Sequence, residues 1–88
     1  MDIKNIPEKF HSLIMKNASM DDILQMYIDI EHLLTYKTWP ANTTPEWVKK
    51  FNEFNEIPED NHLVILWGMR QVCQRLIATL KVLSEGSN

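Results

Sequence analysis

The sequence predicts an all-α protein, a small bundle of about four helices built on a long C-terminal helix packed against an amphipathic second helix. Three observations carry that prediction. Apolar residues recur at spacings of three and four along most of the 88 residues, the period of a helix with one buried side. Only two glycines occur, Gly68 and Gly86, whereas hairpin turns and phosphate-binding loops consume glycine. Pro7, Pro45 and Pro58 each open an apolar-periodic segment, and proline suits the first turn of a helix. A chain of this length is expected to form one domain, residues 1–88, burying about 64% of its unfolded surface around one modest core.

The first helix is expected to start at Pro7 and end at Asn17 or Ala18, with Phe10, Leu13 and Ile14 at helical spacing. Ser19 is a good N-cap for the second, and Asp21 and Asp22 follow in the first turn, where the helix dipole favours anions. That helix should run from Met20 to about Thr38. Its apolar line is Ile23, Tyr27, Ile30 and Leu34, and its opposite face carries Asp22, Gln25, Asp29 and His32. Pro40 stops it, because the residue before a proline avoids the helical region. Thr44-Pro45-Glu46 is a third start signal: N-cap, proline at the first helical position, acid in the first turn. A helix over 47–54 then places Trp47, Phe51 and Phe54 on one face. Pro58-Glu59-Asp60-Asn61 opens the C-terminal helix, expected to reach about Ser84 with Gly86 as its terminal glycine. Leu66, Met69, Cys73, Leu76, Leu80 and Leu83 repeat along it as a heptad-like seam.

One detail breaks this division. On the wheel, Leu63, Val64 and Trp67 fall on the same side as Arg70, Gln71, Gln74 and Lys81, so the first two turns are apolar on nearly every side. A second small core is expected to cover that back, with helix 47–54 folded over it and its aromatics on Leu63, Val64 and Trp67. Gly68 sits mid-helix, where it costs about 1 kcal/mol relative to alanine. A close helix crossing beside Trp67 would account for it.

The formal net charge is −3: −2 over residues 1–44 and −1 over 45–88. No basic footprint for a phosphate backbone is present, so nucleic acid is not the partner expected. Cys73 is the only cysteine and cannot form an internal disulfide, which favours a reducing compartment. The N-terminal residues Met1 to Asn5 lack an apolar signal core. The longest apolar run, Leu63 to Trp67, falls far short of the roughly 20 residues of a membrane span. A cytoplasmic location without membrane contact is expected.

No catalytic group and no cofactor are expected. His11, His32 and His62 have no zinc-like spacing to one another or to Cys73. His32 reads as solvated or locally bonded, and His62 as part of a helix start. Cys73, on the seam, reads as an inert core thiol. Asp22 and Asp29 lie two turns apart, about 10 Å along the axis, too far to share a proton.

Ile28-Asp29-Ile30-Glu31-His32-Leu33-Leu34 resembles the long helix of the small all-α chorismate mutases. That resemblance implies arginines and lysines holding a dicarboxylate. Here the second helix has only Lys37, and the chain has only Arg70 and Arg75 as arginines. The size and acidity resemble the colicin DNase immunity proteins, four-helix inhibitors, without their adjacent tyrosine pair: Tyr27 and Tyr36 are far apart.

The functional expectation is a protein–protein interaction module, an adaptor, inhibitor or regulator that occludes a protein partner. Its expected interface is Tyr36, Trp39, Trp47, Phe51, Phe54, Leu63, Val64 and Trp67, with Arg70 and Glu31 as charged contacts, since tryptophan, tyrosine and arginine are favoured hot-spot types. A homodimer through the long C-terminal helix is expected, because the second helix covers about two-thirds of it. The alternatives are a dimeric nucleic-acid-binding regulator using the Arg70–Lys81 face, and a helical enzyme in which Arg70, Arg75 and Glu31 converge on a cavity.

Overall fold

The computed structural model describes residues 5–17 and 19–86. Its α-helices are α1 (Ile6–Asn17), α2 (Met20–Tyr36), α3 (Glu46–Lys50), α4 (Asn52–Asn55) and α5 (His62–Gly86), with no strand among the described residues. Short 3-10 turns at Pro40–Asn42 and Glu59–Asn61 lead towards α3 and into α5. Ala18, expected at the end of α1, and the tail residues Ser87 and Asn88 lie outside the described residues.

The start of α2 is a reciprocal cap. The Ser19 hydroxyl accepts the Asp22 amide at 3.2 Å, and the Asp22 carboxylate accepts the Ser19 amide at 3.1 Å. Two amides that the first helical turn leaves without partners are thereby satisfied. The helix ends at Tyr36, two residues before the expected Thr38. Lys37 turns left-handed (φ 64°), and its amide donates to the Leu33 carbonyl at 2.8 Å. That cap is usually a glycine's. Ala41 and Asn42 are also left-handed, at φ 57° and 56°. The folded-back loop is held by His32, whose Nδ1 lies 2.7 Å from the Thr38 carbonyl, and by the Thr38 hydroxyl on Asn42 Oδ1 at 2.7 Å.

The helix expected over 47–54 is two pieces. Phe51 leaves the helical region (φ −90°, ψ 84°), which separates α3 from α4. Asn55 Nδ2 donates to the Val48 and Lys49 carbonyls at 2.9 and 3.1 Å, replacing helical partners lost at the break. Pro45, not Thr44, takes the cap position, without a side-chain cap bond.

α2 and α5 run antiparallel. Glu31 pairs with Arg70, and four residues back Tyr27 Oη accepts from Gln74 Nε2, four residues on, at 3.2 Å. α1 packs on α5 and α4. The core joins Ile6, Phe10 and Ile14 of α1 to Ile23, Met26 and Ile30 of α2, with Val48, Phe51, Phe54 and Ile57 from the middle and Ile65, Leu66, Met69 and Cys73 from α5. Full burial of such a side chain contributes about 1.5–3 kcal/mol. The seam of α5 is closed at Leu66, Met69 and Cys73, half-buried at Leu76 and Leu80, and exposed at Leu83. The cause is length: α2 has 17 residues and α5 has 25, about 25 Å against 37 Å.

Gly68 marks the crossing of α1 on α5. A β-carbon there would stand 2.9 Å from Pro7 Cγ. Asp29 departs from the expected polar face of α2. It is 5% exposed and accepts from Gln25 Nε2 and Trp47 Nε1, both at 2.9 Å.

Candidate interaction surface

Apart from Trp67, the aromatic residues expected at the interface divide into three groups. Phe51 and Phe54 are buried in the core and present nothing to a partner, which corrects the expectation for both. Trp39 and Trp47 are half-buried and belong to an aromatic cluster with Phe10 and Phe51. Phe10 lies 5.8 Å from both Trp47 and Phe51, and Trp39 meets Trp47 edge-on at 6.0 Å. Edge-to-face and tilted contacts at such distances are favourable. Tyr36 is exposed at the end of α2, its ring 4.7 Å from that of His32.

The second core expected over the back of α5 therefore forms elsewhere. The turn at Phe51 and the Trp47–Asp29 bond draw α3 and α4 towards α1 and α2. The back of α5 stays open, with Leu63, Val64 and Trp67 exposed by 41, 67 and 52%. They lie at i, i+1 and i+4 on its first two turns, where neighbours one turn apart share a side.

Arg70 borders this patch. Its guanidinium carbon is 5.1 Å from the centre of the Trp67 ring, within cation–π range. The same guanidinium pairs with Glu31 of α2, and both side chains are partly exposed. One arginine thus bridges the two long helices and backs the tryptophan. Ile28 and Leu24, on the turns of α2 that precede Glu31, are also exposed. Leu24 flanks the apolar stripe of α2 and its phase pointed to the core, whereas Ile28 falls on the polar side, where an apolar residue could have drawn attention.

Arg75 lies elsewhere, in an open groove of about 700 Å³ between α1 and α5, with Val72 and Leu76 in its lining and Glu8 and His11 across from it. Arg70, Arg75 and Glu31 do not converge on a cavity as the enzyme alternative requires. Among the described residues no three His, Cys, Asp or Glu side chains are grouped to hold a metal ion. His62 Nε2 lies 3.0 Å from the Ile57 carbonyl, and its ring packs on Phe54 at 4.4 Å. Burial pushes the Cys73 thiol up to about 12, the opposite of an activated nucleophile. No helix of the described residues is long and apolar enough to cross a membrane.

Comparison with known proteins adds no relative: no family model, no curated protein and no solved structure matches the chain.

Proposed function

We propose that the chain is a protein–protein interaction module that binds and occludes a protein partner through the first turns of α5. The observation that supports this reading is the open patch of Leu63, Val64 and Trp67. Tryptophan is a leading hot-spot residue. Arg70, stacked on Trp67 and paired with Glu31, is already ordered, so it loses less freedom on binding than an unrestrained arginine.

The test is affinity capture from the native host with the tagged chain and its Trp67→Ala and Val64→Asp variants. Both positions are exposed, so both variants should keep the wild-type melting temperature within a few degrees and lose the captured protein. A variant that still captures it at wild-type yield sinks the proposal.

A second reading is a homodimer through α5. Its support is the far end of the helix, where Val82 and Leu83 are exposed beyond the reach of α2. Sedimentation equilibrium should then give twice the chain mass, and Leu83→Asp should return the monomer.

A further inference from the structure

Charge is distributed unevenly along this chain. Residues 1–61 hold eleven of the twelve acids against six lysines, a net of −5. Residues 62–84 hold Arg70, Arg75 and Lys81 and no acid at all. Glu85, the remaining acid, comes one turn after Lys81. α5 is therefore a cationic helix in an acidic protein.

The outward side of α5 carries a strip of exposed residues: Val64, Trp67, Gln71, Arg75, Ala78 and Lys81. Their spacing of three and four keeps them on one side of the helix, over about 26 Å. The strip is apolar at its start and carries its cations further on, with a glutamine between, and exposed Val82 follows Lys81 on the same side. Arg70 is engaged by Glu31, so the positive charge offered outward comes from Arg75 and Lys81. Gln71 and Arg75 also line the α1–α5 groove, whose other wall carries Glu8 and His11.

We propose that this strip docks an acidic amphipathic helix of about 17 residues, matched to its 26 Å length at 1.5 Å per residue. The partner's apolar side chains lie on Val64 and Trp67, and its carboxylates face Arg75 and Lys81. This rests on the reading of α5 as the interaction surface and adds the chemistry of the partner. Charge complementarity selects it. The same strip on a second copy of the chain holds no carboxylate to meet Arg75 and Lys81, so it lacks the complementary charge. A flat anionic bilayer would have to approach the acidic remainder of the molecule as well as the strip. A single narrow helix meets the strip alone.

The probes are two fluorescent 17-residue amphipathic peptides, one of leucine and glutamate and one of leucine and lysine, together with vesicles of phosphatidylserine and phosphatidylcholine. Anisotropy titration of the full chain should show the acidic peptide bound about tenfold more tightly than the basic one. Its affinity should fall between about 50 and 300 mM NaCl, as the Debye length shrinks. The double variant Arg75→Glu, Lys81→Glu should lose about tenfold in affinity with an unchanged circular-dichroism melt. Equal binding of the two peptides, or an unaffected double variant, overturns the proposal. Vesicles binding in place of the acidic peptide overturn it in favour of a membrane surface. If both peptides bind equally and Trp67→Ala abolishes both, the charge inference fails while the interaction surface stands. If neither binds, and Trp67→Ala leaves capture from the host unchanged, both fail together.

Discussion

Asp29 and Trp47 show how far one side chain can move another from its expected place. By helical phase alone Asp29 belongs to the solvated face of α2. It is buried because the Trp47 indole, 18 residues on, donates to it while Gln25 donates from the preceding turn. Nothing in the local pattern of α2 records that distant donor. Trp47→Phe keeps an aromatic ring and removes the N–H. The expected cost is about 1–3 kcal/mol from a buried acceptor left short of a partner, read as a lower denaturant midpoint; an unchanged midpoint would show that the bond contributes nothing. Cys73 was legible, because the 3-4 spacing of the seam placed it among leucines. Its thiol titrates at 9.0 when unperturbed and at about 12 when folded. The folded state therefore holds its proton after the unfolded chain has released it. This contribution to stability is intact below pH 9 and is lost as pH rises towards 12, at up to about 1.4 kcal/mol per pH unit. Unfolding of the wild type and of Cys73→Ala, compared between about pH 9 and 11, should show the steeper decline in the wild type. Parallel declines would contradict it.

The elements were legible where the chain carries chemical punctuation. Ser19 and Asp22 announced the start of α2, and both halves of the cap are present. Pro40 brought the end of α2 to within two residues, but nothing marked Lys37, which takes a left-handed turn that glycine would have advertised. The break at Phe51 was illegible for a related reason: no glycine or proline stands there, and Asn55 supports it from the far side. Gly68 was read as a close crossing, and the partner proves to be the Pro7 ring. Gly68→Ala sets two effects against each other. Alanine gains about 1 kcal/mol of helix propensity, while forcing a methyl against a rigid ring costs about 1–3 kcal/mol in a packed contact. The expected result is a net loss of about 1 kcal/mol, measured by urea unfolding. A gain would mean that α1 shifts away freely.

For the whole molecule, the pattern predicted the all-α architecture and the pairing of α2 with α5. Which side of α5 would be covered did not follow from helical phase. That depended on where α3 and α4 settle, which is decided by the turn at Phe51 and the tie of Trp47 to Asp29. Of the residues expected at an interface, Leu63, Val64, Trp67, Arg70 and Glu31 gather on one face. Phe51 and Phe54 are spent on the core, and Trp39 and Trp47 pack beside it. Aromatic content alone marked both groups equally, because a hot-spot residue and a core residue share the same chemistry before burial separates them. The open face has a cost of its own: Trp67 and Val64 realise only part of their burial energy until something docks on them.

The contact between Pro7 and Gly68 also has a meaning for descent. Two residues far apart in the sequence, one in α1 and one in α5, meet in one small volume, so neither can change independently. In diverging copies of this protein, a residue larger than glycine at position 68 should arrive together with alanine or serine at position 7. That exchange would relax the crossing without dissolving it, and it would leave a paired signature by which homologues of this fold could be recognised.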